Sequence, residues 1–85
     1  MSDSVAGQRV LTVFSRRGCH LCEDLLAELE PLLRGQVTVE VVDIDTDPVL
    51  VESYGVSIPV VCADGQELCR HVLNRSAVLR WLDAS

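Results

Sequence analysis

Cys19 and Cys22 stand two residues apart in the stretch SRRGCHLCEDLL, residues 15 to 26. Two thiols at this spacing can close a disulfide, supply half of a metal site, or simply pack. Their surroundings favour redox chemistry. A β-branched, apolar run ends just before them, Gly18 breaks it, and helical spacing begins at Cys19. The first sulfur therefore falls near a helix N-terminus, where free N–H groups and the positive end of the dipole stabilise an anion. The thiolate is the attacking species, so a lowered thiol pKa raises the reactive fraction at neutral pH. Arg16, Arg17 and His20 add positive charge or donors in an otherwise acidic chain. Cys22, one turn further in, can reach a mixed disulfide formed on Cys19. Cys19 reads as the nucleophile and Cys22 as the resolving thiol. His20 either helps hold the thiolate as a partly protonated imidazole or points to solvent.

The other cysteines, Cys62 and Cys69, stand seven positions apart, a spacing that matches no compact metal clip. They read as small apolar residues on neighbouring strands. In a regular hairpin both face the same side of the sheet, diagonally rather than opposite each other. No metal ligand set is expected.

The elements that must position the dithiol follow from the pattern. RVLTVF, residues 9 to 14, reads as a buried strand. From Cys19 to about Leu33, Leu21, Leu25, Leu29 and Leu32 recur at helical spacing, with Leu26 and Leu33 beside them. Pro31 should kink or end this helix in its last turns, because it lacks the N–H that bonds back to Ala27. VTVEVVDID, residues 37 to 45, is a second strand. A short helix then starts with Asp47 as cap and Pro48 at its first position, and Gly55 stops it. PVVCA, residues 59 to 63, is a third strand, Asp64-Gly65 a hairpin turn, and QELCRHV, residues 66 to 72, a fourth strand. Ser76 caps a final helix through Trp81 and Leu82, with Trp81 anchoring it on the spacing of Val78, Leu79 and Leu82. The order β-α-β-α-β-β-α implies an α/β fold, with a four-stranded mixed sheet flanked by helices on both faces and its first two strands parallel.

Eighty-five residues point to a single domain, 1 to 85, of which 1 to 8 read as a flexible polar tail. Seven basic residues against thirteen acidic ones give a net charge of −6, which disfavours a nucleic-acid partner. No apolar run approaches the length of a membrane span. The N-terminal MSDSVAGQR has an early acid and no apolar core, so the expectation is a cytoplasmic protein whose thiols are kept reduced.

With the motifs in hand, the chain resembles the thioredoxin fold, and within it the small glutaredoxin-like proteins, from Arg9 to Leu82. LTVFSRRGCHLC looks like a glutaredoxin: a strand, a basic residue three places before the first cysteine (here Arg16), then C-x-x-C. VDIDTDPVLVESYGVSIPVV looks more like a thioredoxin, with a YGV-x-IP pattern leading into the third strand. The resemblance implies a cis-proline at Pro59 that packs beside the dithiol. It also implies that Ile58 and Pro59, with Arg16, line the substrate site.

The chain departs from the family in two places. His20 stands where both families usually have other residues. Glutaredoxins also carry a Gly-Gly turn after the fourth strand that holds one end of glutathione, whereas this region reads LCRHVLNRSAVL. Tyr54, Arg70, His71 and Arg75 either touch a partner or, for Tyr54, pack beside the second helix and, for the charged residues, form a solvated face.

The resemblance implies a thiol–disulfide oxidoreductase with no tightly bound cofactor. Glutathione is a candidate co-substrate. The partner is glutathione, a thioredoxin-type reductase or a protein disulfide, and the chain is expected to act as a monomer. Two rivals stand beside it: a non-catalytic binding module on the same fold, and a metal or iron–sulfur carrier. Iron–sulfur glutaredoxins usually have a single active-site cysteine, so Cys22 weighs against the second.

Overall fold

In the computed structural model, which describes residues 9–33 and 35–84, the β-branched run forms strand β1 (Arg9–Ser15), near the middle of the sheet. It is followed by helix α1 (His20–Leu33), strand β2 (Val37–Asp43), a 3-10 turn (Ile44–Thr46) and helix α2 (Pro48–Tyr54). Strands β3 (Val60–Ala63) and β4 (Gln66–Arg70) and helix α3 (Arg75–Asp83) complete the chain. The strand order is β2-β1-β3-β4. β1 pairs parallel with β2, from Arg9 opposite Val37 to Ser15 opposite Asp43, because α1 carries the chain back between them. β1 pairs antiparallel with β3, and β3 with β4. The expected tail at residues 1 to 8 lies outside the described residues.

Alternation along the strands sorts the two faces of the sheet. Leu11, Val13, Val61 and Ala63 point to one face and are covered by Leu25, Leu29 and Leu33 of α1 and by Val78 and Trp81 of α3. On the other face Phe14 stacks on Tyr54 of α2, ring centroids 4.3 Å apart. The buried stripe of α1 is Cys22, Leu25, Leu29 and Leu33. This corrects the stripe expected through Leu21 and Leu32: Leu21 is 52% exposed, and on α3 Leu79 also faces water. Both stripes satisfy the helical spacing. The sheet selects the one that buries Cys22. Pro31 lies inside α1, which stops at Leu33, within a turn of the missing hydrogen bond.

The ends of β2 and β4 differ from the sequence reading. β2 ends at Asp43, because the Asp43 side chain accepts the Asp45 N–H and turns the chain into the 3-10 turn. β4 ends at Arg70, because His71 takes a left-handed conformation with φ 69°. α2 ends before Gly55 as expected, but Gly55 is right-handed, φ −51°, so its conformational freedom is not what ends that helix. The Asp47 cap is as expected, with its side chain accepting the Val49 N–H at 2.9 Å. The hairpin turn also holds, with Asp64 and Gly65 at φ 53° and 77°.

α3 is capped by Asn74, not Ser76: the Asn74 Oδ1 accepts the Ala77 N–H at 3.1 Å. Asn74→Ala is expected to lower stability by about 1 kcal/mol, and Ser76→Ala by much less. Urea denaturation midpoints of the two variants check this; equal losses would return the cap to Ser76.

β4 carries a bulge. Ala63 pairs with Gln66 and Cys62 with Glu67, but Val61 then pairs with Cys69 and Val60 with Arg70. Leu68 is the extra residue. The shift moves Cys69 to the face of Val61, against the main core, while Cys62 faces a groove with Val10, Thr12 and Phe14. The expectation that Cys62 and Cys69 share a face is therefore corrected: a regular hairpin would place them together, and the one-residue slip separates them. The same slip puts Glu67 and Arg70 on one face, where they form a two-pronged ion pair.

Arg9 ties the two ends of the fold together. Its guanidinium lies 3.8 Å over the Trp81 ring and donates to the Trp81 carbonyl at 2.9 Å, near the C-terminus of α3. The Trp81 Nε1–H donates to Asp64 in the hairpin turn at 2.8 Å. A cation at a helix C-terminus complements its dipole.

Candidate functional site

The site forms where β1 gives way to α1. Gly18, with φ 75° and no heavy atom near where a side chain would begin, lets the chain reverse out of the strand. The Cys19 N–H donates to the Arg16 carbonyl at 3.3 Å, closing the turn over Arg17 and Gly18. The Cys19 carbonyl accepts the Glu23 N–H at 3.1 Å, the first bond of α1. Its Sγ accepts the Cys22 N–H at 3.1 Å. Cys19 thus occupies the cap position, and its sulfur takes the place of a capping oxygen on a helix N–H that would otherwise lack a partner.

The two cysteines are joined at disulfide distance, with Cα atoms 5.2 Å apart. Cys22 is buried at 2% exposure, whereas Cys19 is half-buried. Cys19 is the more exposed of the pair and Cys22 is buried, an asymmetry that spacing alone cannot give. His20 is exposed and, among the described residues, makes no side-chain hydrogen bond.

The loop before β3 comes to the same end of the sheet. Val60 pairs with Phe14, so Ile58 and Pro59 lie beside the C-terminal end of β1, where the chain turns toward Cys19. The Ile58–Pro59 peptide bond is cis; Pro59 is buried and Ile58 half-buried. This loop is braced from β4. The His71 N–H donates to the Pro59 carbonyl at 2.8 Å. Arg70 Nη1 donates to the buried Ser57 Oγ at 3.0 Å while its other donors grip Glu67. The Arg70 guanidinium holds the Glu67 carboxyl below its ordinary range, first by hydrogen bonding and then by charge.

Sequence reasoning missed this brace. Period-two alternation puts positions 67 and 70 on opposite faces, and no residue pattern announced the bulge that reunites them. It also missed His71, a non-glycine residue at positive φ where a regular strand was expected. Asp45 is the third omission. Arg16, expected to line the substrate site, is held by the Asp45 carboxylate, with Nε 3.1 and 3.0 Å from its two oxygens. The V-D-I-D run was a visible signal, but only the fold brings it beside Arg16.

Cys62 and Cys69 are both free and half-buried. Burial pushes both thiols up; for Cys62 the nearby Glu67 carboxylate adds to this. Neither has the environment of an attacking thiol. Among the described residues no group of three or more His, Cys, Asp or Glu side chains is placed to hold a metal ion. Among the described residues no helix is long and apolar enough to cross a membrane.

A mixed four-stranded sheet with helices on both faces, a C-x-x-C disulfide at the start of α1 and a cis-proline before β3 define a thioredoxin-fold protein. Within that fold the chain belongs to the glutaredoxin-like domain family DUF836, whose model matches residues 10–83. It is similar to protein Ne2328 from Nitrosomonas europaea at 34% identity, with 87% of this chain and 91% of that one covered and a TM-score of 0.79. Protein XcR50 from X. campestris is also 34% identical, over 88% of this chain and 97% of that one, with a TM-score of 0.69. Fasciola hepatica thioredoxin shares the fold at 23% identity, over 92% of this chain and 81% of that one, with a TM-score of 0.56. No curated protein matches the chain.

Proposed function

We propose that this chain is a small thiol–disulfide oxidoreductase that works through the Cys19–Cys22 pair. The observation that carries the reading is the position of Cys19. It is half-buried at the cap of α1, with a helix N–H directed onto its sulfur and a shielded second thiol one turn behind. A thiolate there is stabilised by that N–H and by the dipole of a fourteen-residue helix.

In the reduced protein the Cys19 thiolate attacks one sulfur of a disulfide. A bond forms to Cys19, the substrate S–S bond breaks, and the departing half leaves as a thiolate that takes a proton from water. The Cys22 thiolate then attacks Cys19 Sγ and expels the second half. The substrate has gained two electrons, and the protein holds the Cys19–Cys22 disulfide until a reductant reverses the exchange.

No tightly bound cofactor is required. Glutathione or a thioredoxin-type reductase supplies the electrons, and the protein works as a monomer in the cytoplasm. Ile58 and Pro59 flank the attacked disulfide, and Arg16 and Gly18 shape the approach to Cys19.

The test is the Cys22→Ser variant, mixed in reduced form with a disulfide-bonded protein substrate and quenched in acid. A mixed disulfide on Cys19 should accumulate and persist, whereas the native chain clears it. Intact-mass analysis with cysteine mapping reads the outcome. If all thiols remain unmodified, the dithiol is shielded and the catalytic reading falls.

A further inference from the structure

Arg16, whose carbonyl accepts the Cys19 N–H, has its guanidinium already occupied. Its Nε spans both Asp45 oxygens, and Nη2 lies 3.0 Å from Oδ1. This pair fills the fork with which an arginine grips a carboxylate. The acid is held in place from behind: the Asp45 N–H donates to the Asp43 side chain at 2.9 Å, and the Thr46 hydroxyl to the Asp43 carbonyl at 2.8 Å. The pair is still open to solvent, with side chains 37% and 50% exposed, so an incoming carboxylate must compete with Asp45 for Arg16.

Arg17 and His20, on either side of Gly18 and Cys19, are exposed. Leu21, between the two cysteines, is exposed, and it lines a shallow depression with Asp24, Glu28, His71, Val72 and Leu73. Val56, in the loop leading to Ile58–Pro59, is 93% exposed. The whole chain carries a net charge of −6, which repels anions at longer range.

We propose that Asp45 is a specificity-determining residue: by holding the Arg16 guanidinium it turns the Cys19 site away from carboxylate-bearing disulfides and toward uncharged ones. This rests on the oxidoreductase reading above and names the substrate class for the same site.

The experiment compares two probes reacting with the fully reduced protein in stopped flow. Glutathione disulfide is anionic; hydroxyethyl disulfide is neutral. Each rate is divided by that of the same probe with a simple thiol, which removes the probe's intrinsic reactivity. Asp45→Asn keeps the shape of the side chain and the backbone bond to Asp43. It should raise the ratio of glutathione disulfide to neutral rate about fivefold, near the upper end of what an exposed ion pair is worth. Adding Arg16→Ala to Asp45→Asn should return the ratio toward the native value, and raised salt should shrink the difference.

A ratio that stays put in Asp45→Asn, or a gain that survives the loss of Arg16, overturns the proposal. Attack on Cys19 and release by Cys22 are separate mass-resolved steps. If Cys19 is glutathionylated but Cys22 never displaces the adduct, the catalytic reading fails while the charge ratio still decides the role of Asp45. A reduced protein inert to both probes overturns both.

Discussion

Cys19→Ser should abolish disulfide reduction, a loss on the order of a thousandfold or more, because a serine hydroxyl is not ionised at neutral pH and forms no stable bond to sulfur. The substitution separates chemistry from folding unusually well. Cys19 serves α1 as a cap whose sulfur accepts the Cys22 N–H. Serine is among the preferred residues at that position, and its oxygen can accept the same hydrogen. The variant should therefore match the reduced native protein in thermal stability, or exceed it slightly, while losing activity. Reduction of hydroxyethyl disulfide in a coupled assay, with a melting curve of each reduced protein, checks both halves. Retained activity would mean that Cys22 or another thiol is the attacking group.

Leu29→Ala should cost about 2–5 kcal/mol. Leu29 has no exposed surface and sits in the middle of the α1 stripe, against Leu11 and Val13 of the central strand and Val78 and Trp81 of α3. The helix crosses a rigid sheet at that point, so the cavity cannot collapse fully. A domain of this size has about 4–13 kcal/mol to lose, so the variant should be close to unfolding at physiological temperature. Leu21→Ala, between the two cysteines on the solvent side, should change stability by no more than about 0.5 kcal/mol. Urea titrations of the reduced proteins measure both. Equal losses at positions 21 and 29 would restore the stripe that the leucine spacing first suggested.

The contrast between those two leucines shows where the sequence was legible. Element order, the Asp47 cap and the Asp64-Gly65 turn rest on local chemistry: a cap, a proline at a first position, a pair of residues that tolerate positive φ. Each is decided within a few residues, so each can be read from a few residues. The choice among overlapping apolar stripes on α1 is decided by the sheet, and the sheet is built from strands far along the chain. The same holds for the site. Cys19, Cys22 and Gly18 are contiguous and were readable. The Arg16–Asp45 pair joins the end of β1 to the turn after β2, and the Arg70–Ser57 brace depends on one extra residue in β4. A single bulge cannot be seen in a strand of five residues, yet it exchanges the faces of everything beyond it.

The clamp of Arg9, Asp64 and Trp81 makes the chain its own reporter. Trp81 is the sole tryptophan, so fluorescence comes mainly from one ring, wedged between a guanidinium and a carboxylate at the start of β1. The dithiol lies beyond the far end of that strand, about 20 Å away at the rise of an extended chain. Emission should therefore follow the docking of α3 and stay nearly silent when an added reductant opens the Cys19–Cys22 disulfide. An optical unfolding curve can be recorded in oxidised and reduced protein alike, and any difference between the two midpoints will measure how strongly the disulfide is coupled to the rest of the fold.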